Sequence, residues 1–170
     1  MGRASEQRGA RAGRDGANRV VRDGVTDEID YGPLKGWIGF NLRMAQDASF
    51  QAFSRLSQEI GVRPGRFATL SLIGNNPGIS QTALSRANGR DKSTLTPLLR
   101  DLVRRGLVRR TRTPTDRRAY RLVLTTSGAR LLRQLTTCAR QHEAKLDTLI
   151  GADERTQFLR ILRRLAERIE

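Results

Sequence analysis

The chain has 170 residues, 37% of them apolar, which is enough for one domain with a hydrophobic core. No apolar run approaches the roughly 20 residues that cross a bilayer, and the arginines near the N-terminus lack the apolar stretch of a secretory signal. The net charge of +15 implies an anionic partner, with nucleic acid the commonest and a membrane surface or a ribosomal site also consistent.

Residues 1–30 read as a flexible tail. Arg3, Arg8, Arg11, Arg14, Arg19 and Arg22 are balanced by Glu6, Asp15, Asp23, Asp27, Glu28 and Asp30, and almost no large apolar side chain precedes Val20. Such a segment cannot bury enough surface to fold alone. The positive charge therefore belongs to the expected domain, residues 31–170.

A first helix is predicted over Leu34–Ile60, from the helical spacing of Ile38, Leu42, Ala45, Ala52, Phe53, Leu56 and Ile60. Gly61 can cap it. A second helix is predicted from Pro64 to Gly74, with Phe67, Leu70 and Ile73 inward and Pro64 in its first turn. Residues 75–78, Asn-Asn-Pro-Gly, form a turn.

Ser80 then reads as the N-cap of a short helix, with Leu84 and Ala87 inward and Gly89 at its end. The next helix begins at Asp91 or Ser93 and lasts to about Arg105. Leu95, Leu98, Leu99 and Leu102 form its core stripe. The opposite side carries Ser93, Pro97, Arg100 and Arg104, with Thr94 and Thr96 on the flanks. Pro97 removes a backbone donor, at a cost that falls if it lies near the first turn. After Gly106 the period changes to that of two strands, Leu107–Arg112 and Ala119–Leu124, joined by a loop over Thr113–Arg118. Thr125 or Thr126 caps a long helix that breaks at Gly151–Asp153, and a last helix carries Phe158, Leu162, Leu165 and Ile169.

Helix, short turn, helix and hairpin together make a winged helix-turn-helix, in a mainly α (α+β) fold. In such a module the second helix enters the major groove, where base edges differ in their donors and acceptors. The basic residues concentrate there: Arg86, Arg90, Lys92, Arg100, Arg104, Arg105, Arg109, Arg110, Arg112, Arg117, Arg118 and Arg121 face only Asp91, Asp101 and Asp116. A run of charge alone is as readily a solvated face; the organised pattern beneath it favours DNA. The expected DNA-binding residues are Ser80, Gln81, Lys92, Ser93, Thr94, Thr96, Arg100, Arg112, Asp116, Arg117 and Arg118. Ser80 and Gln81 would hold phosphate at a helix start. Ser93, Thr94, Thr96 and Arg100 would face the major groove. Arg112, Arg117 and Arg118 would extend through the hairpin, with Asp116 holding a neighbouring arginine.

The segments NPGISQTALSR at 76–86, DKSTLTPLLRDLVRRGLVRR at 91–110 and TPTDRRAYRLVLTTSGARLL at 113–132 resemble the MarR family of bacterial transcription regulators. With the flanking helices the resemblance covers residues 34–170. It implies a homodimer that binds a palindromic operator, as a repressor released by a small molecule. It implies a DNA-binding core over about residues 64–125 and dimerisation helices over about 34–60 and 126–169, with Arg118 as the wing arginine. It also implies an effector pocket beside the first and second helices, for which Trp37, Phe40, Asn41, Arg43, Met44 and Phe67 are the candidates, although residues such as Trp37, Phe40 and Met44 in a helix are more often core than pocket. The Gly-Trp-Ile-Gly-Phe-Asn-Leu-Arg segment is similar to members that sense hydroxycinnamoyl-CoA thioesters, so the expected effector is an aromatic acid or its CoA thioester. The STLTPLL form is similar to the peroxide-sensing branch, but the reactive N-terminal cysteine of that branch is missing.

Cys138 is the only cysteine and cannot close an internal disulfide, which suits a reducing cytoplasm. It reads as a packing residue rather than a redox sensor, and His142 as a surface or interface residue rather than a zinc ligand. No nucleophile–base pair, metal cluster or phosphate loop appears, so no enzyme activity, metal, cofactor or membrane association is expected. The competing reading is a non-specific nucleic-acid-binding or ribosome-associated basic protein.

Overall fold

Helical periodicity dominates the chain, and the computed structural model follows it. The structure describes residues 29–61, 65–89, 91–112 and 120–169. The elements, in order, are α1 (Ile38–Leu56), α2 (Gly65–Asn75), β1 (Ile79–Ser80), α3 (Gln81–Ala87), α4 (Lys92–Arg104), β2 (Val108–Arg112), β3 (Tyr120–Leu124), α5 (Thr126–Ile150) and α6 (Ala152–Arg168). The helix expected over 34–60 is shorter than its apolar pattern. Short 3-10 turns at Gly32–Gly36 and Gln58–Ile60 flank it, and Gly61 closes the second in the left-handed region, at φ 67°. Pro64 and the hairpin tip at 113–119 lie outside the described residues.

The chain falls into two compact units divided between Leu42 and Arg43. In the first, Tyr31 and Phe40 pack with ring centres 5.7 Å apart. The Asn41 amide donates to the Lys35 and Trp37 carbonyls.

The core of the second unit is built by α2, α3, α4, α5 and the sheet. Leu70, Ile73, Leu84, Leu95, Leu99, Leu102, Leu107, Val108, Leu122 and Leu135 form one buried cluster, with Leu98 partly buried against it. Burial of such side chains, at roughly 25 cal/mol per Å² of apolar surface, holds α4 to the body. The sheet is antiparallel in the order β1-β3-β2. Its register pairs Val108 with Leu124, Arg112 with Tyr120, and Ile79 with Leu122. β1 is a strand that periodicity cannot reveal at two residues. It fixes the start of α3 beside the hairpin, helped by the Gly78 amide bonding to the Leu122 carbonyl at 2.9 Å.

Caps set the helix starts. Ser80 accepts from the Ala83 amide, Asp91 from Thr94 and Thr125 from Gly128. Because α4 begins at Lys92, Pro97 sits in its second turn, beyond the position where a missing N–H costs nothing. Thr125 also donates to the Gly106 carbonyl at 2.6 Å, so the end of the α4 turn and the start of α5 are bolted together. Here Gly128 leaves no room: a β-carbon on it would overlap the Leu107 carbonyl oxygen.

Candidate nucleic-acid interface and a cavity in the helical frame

With Leu95, Leu99 and Leu102 inward, α4 exposes Lys92, Ser93, Thr94 and Arg100. Asp91 organises its first turn. The carboxylate accepts from the Thr94 amide at 2.7 Å and from the Ser93 and Thr94 hydroxyls. Those bonds, that of Ser93 foremost, hold the Asp91 carboxyl below the usual carboxylate range. Ser93 and Thr94 are thus exposed yet already oriented by one acid, a pre-ordering that their sequence positions do not announce.

The expected DNA contacts divide into two groups. Ser80, Lys92, Ser93, Thr94, Arg100 and Arg112 are exposed along β1, the start of α3, α4 and the end of β2. Gln81 and Thr96 are half-buried and engaged with each other, Gln81 Nε2 donating to Thr96 Oγ1 at 2.9 Å. Asp116, Arg117 and Arg118 lie outside the described residues.

Two interactions in this region escaped sequence reasoning. Asp101 on α4 bridges Arg66 of α2 at 2.6 Å and Arg104 at 2.6 Å. The bond from Arg104, together with Arg66 and Arg105 nearby, keeps its carboxyl below the ordinary range against the opposing effect of burial. One acid inside a basic run was the visible signal; its partner 35 residues away was not. Arg110, counted only as positive charge, lies half-buried on β2 with its guanidinium 5.8 Å from the Tyr120 ring centre.

A second feature lies within the helical frame. A cavity of about 300 Å³ is lined by Gln46, Ser49, Phe50 and Phe53 of α1, Gly65, Phe67 and Ala68 of α2, and Ala139, His142 and Glu143 of α5. Phe53 and Phe67 pack with ring centres 5.6 Å apart, and His142 meets Phe53 edge-on at 5.9 Å. Contrary to its expected place at a surface or interface, His142 is buried within the protomer, because the apolar stripe of α5 turns it toward α1. Its Nε2 shares a 2.9 Å hydrogen bond with the Ser49 hydroxyl, while Nδ1 finds no partner among the described residues. Cys138, one turn earlier, is buried and donates to the Leu56 carbonyl at 3.2 Å.

Of the expected pocket residues, Phe67 lines this cavity. Met44 and Arg43 do not line it; Arg43 pairs with Asp47 at 3.0 Å on the exposed side of α1. Trp37, Phe40 and Asn41 belong to the first unit, where Trp37 is 59% exposed. The spacing of Gln46, Ser49, Phe50 and Phe53, at i, i+3, i+4 and i+7, was the overlooked sign of a second lined face on α1.

An exposed, cation-bearing helix, held by its leucine back beside a two-stranded hairpin, defines a winged helix-turn-helix DNA-binding protein. The particular family follows from comparison. Residues 60–119 match the model of the MarR family. The chain is 34% identical over 139 residues to a protein described as the transcriptional regulatory protein for the hcr operon of Thauera aromatica, covering 81% of this chain and 84% of that one. Among solved structures, the transcriptional repressor CouR bound to a 23-mer DNA duplex superposes with a TM-score of 0.75 at 33% identity, over 81% of this chain and 98% of CouR. CouR bound to p-coumaroyl-CoA gives 0.76 at 30% identity, over 83% and 99%. The chain belongs to the MarR family and is a transcriptional regulator, a family not of enzymes. Among the described residues no helix is long and apolar enough to cross a membrane.

Proposed function

We propose that this chain is a homodimeric repressor that binds a palindromic operator and is released by an aromatic acyl effector carried as its CoA thioester. The observation that carries the DNA half is the exposed row of Lys92, Ser93, Thr94 and Arg100 on a helix whose opposite face is core. Charge alone would not require that order. Lys92, Arg100 and Arg112 supply cations for phosphate and guanine edges, and Ser93 and Thr94 allow close approach to bases. The hairpin continues the footprint along the flank, and Asp116, Arg117 and Arg118 are further proposed DNA contacts.

The effector half rests on the cavity. Phe50, Phe53 and Phe67 provide an apolar ring slot, with Gln46 and the Ser49–His142 pair as placed polar groups. The Glu143 carboxylate in the same lining opposes a free carboxylate ligand and favours an acid masked as a thioester. About 300 Å³ accommodates an aromatic acyl group, so the nucleotide of CoA would lie outside. The Arg43 and Met44 side chains, earlier on the same helix, are candidates for contacts along that outer path. The α5 and α6 helices would pair across the two-fold axis, for which Phe158 and Ile161 are exposed at 41% and 36%. The reading assigns the chain no reaction of its own, and it acts in the cytoplasm, where bacterial DNA lies.

The test is a selection of random duplexes for binding, followed by titration of the best duplex complex with p-coumaroyl-CoA and with p-coumarate. One preferred palindrome and release by the thioester alone are expected. A thioester at one hundred times its Kd should also stabilise the protein by about 2.7 kcal/mol. Equal binding to every duplex would return the chain to a non-specific basic protein.

A further inference from the structure

We infer that Gln81 is a positioning residue that fixes the spacing between the recognition helix α4 and the β2–β3 hairpin, instead of the phosphate contact that its place at a helix start suggests. This rests on the DNA-binding reading above. Gln81 opens α3 and is half-buried. Its Nε2 donates to Thr96 Oγ1 of α4 at 2.9 Å, and its Oε1 accepts from Arg110 Nη2 of β2 at 3.4 Å. One amide therefore spans three elements.

The chemistry of the partners orders this chain of bonds in one direction. Arginine can only donate, so the carbonyl end of the amide must face Arg110. Thr96 commits its proton to the Lys92 carbonyl at 2.6 Å, so its oxygen is left to accept from the amide nitrogen. Flipping the amide would set donor against donor at one end and oppose two acceptors at the other. The Arg110 head is directed inward as well, with its Nε buried and its guanidinium over Tyr120. The two ends of the Gln81 amide thus join Thr96 on one side and Arg110 on the other.

The consequence is geometric. A helix in the major groove and a hairpin on the flank engage one duplex together only if their separation matches the DNA, and small errors in such placement are costly. The leucine core holds α4 down, and a directional chain of hydrogen bonds from α4 through α3 to β2 adds a fixed register at the surface.

The test uses the full-length protein and the duplex it prefers in a selection from random DNA. Gln81→Met and Thr96→Val remove the bonds with little change in volume, and each is expected to weaken that duplex about fivefold, the net worth of one hydrogen bond. The double variant is expected to be no weaker than the weaker single, because both cut the same chain. Thr96→Ser keeps the hydroxyl and is expected to bind like wild type. Base-by-base profiles should show that Gln81→Met flattens preference at the operator flanks and keeps it under α4, an effect that lost stability alone would not produce. Losses that multiply to about 25-fold, as independent DNA contacts would give, overturn the proposal. So does a uniform loss across the profile, the mark of a phosphate contact. Should Gln81→Met melt below the assay temperature, Thr96→Ser against Thr96→Val carries the same decision. A wild-type chain with no preferred duplex removes the DNA reading itself, and this proposal with it.

Discussion

Asp101 and Gly128 each hold two segments of the DNA-binding half together at a single position. Asp101 neutralises Arg66 and Arg104 from a largely covered site, 19% exposed. Its carboxyl is depressed in the folded protein, so the stability it contributes is full above the unfolded carboxylate value and is lost as pH falls through the lower folded value. Asp101→Asn should lower Tm by a few degrees at pH 7, and the gap from wild type should close as pH drops below about 4. Melting curves across pH check this; a gap that persists unchanged at pH 2 would assign the loss to packing instead. Gly128→Ala should cost roughly 3 kcal/mol, because a methyl group meets the Leu107 backbone and not a yielding side chain. Urea unfolding measures it. The glycine was legible as part of a motif, but its reason was not: Leu107 lies 21 residues earlier and is brought there only by the hairpin.

The elements show which patterns survive folding. α4 carries its leucines inward and its cations outward, as its period requires, and the capping side chains at Ser80, Asp91 and Thr125 stand where short polar residues precede helical runs. α1 carries more than one period can report. Its Gln46, Ser49, Phe50 and Phe53 face α2 and α5 and leave a cavity between them. If that cavity takes the effector, Ala68→Trp should fill it. The variant should bind the operator within about twofold of wild type, since truncation and filling effects act locally at distant sites. It should show no thermal shift with p-coumaroyl-CoA and no release of DNA. Release at wild-type concentrations would place the effector elsewhere.

At the scale of the whole molecule, the apolar stripe of α6 is left exposed by the described residues. Phe158 and Ile161 line a groove with Ile150 and Glu154, and Ile169 is 73% exposed. A second copy is the expected cover, and the palindromic operator requires one, since two half-sites need two recognition helices. The double substitution Phe158→Asp, Ile161→Asp should yield a monomer by sedimentation and lower operator affinity at least a hundredfold, an estimate from the loss of one half-site's share of the binding free energy. A variant that stays dimeric would move the interface off this stripe.

The amino-acid sequence alone determined the order of the six helices, the leucine back and charged front of α4, the hairpin that follows it and the family. Each of these rests on local periodicity, capping and short motifs, which act within a turn or two of chain. The tertiary structure decided the rest. It joined Gln81 to Thr96 and to Arg110, set Asp101 between two arginines, buried His142 against Ser49 and opened a cavity among three helices. Those contacts that link different elements join partners from 15 to 93 residues apart, and a hydrogen bond or a void between distant elements exists only once the core has brought them together.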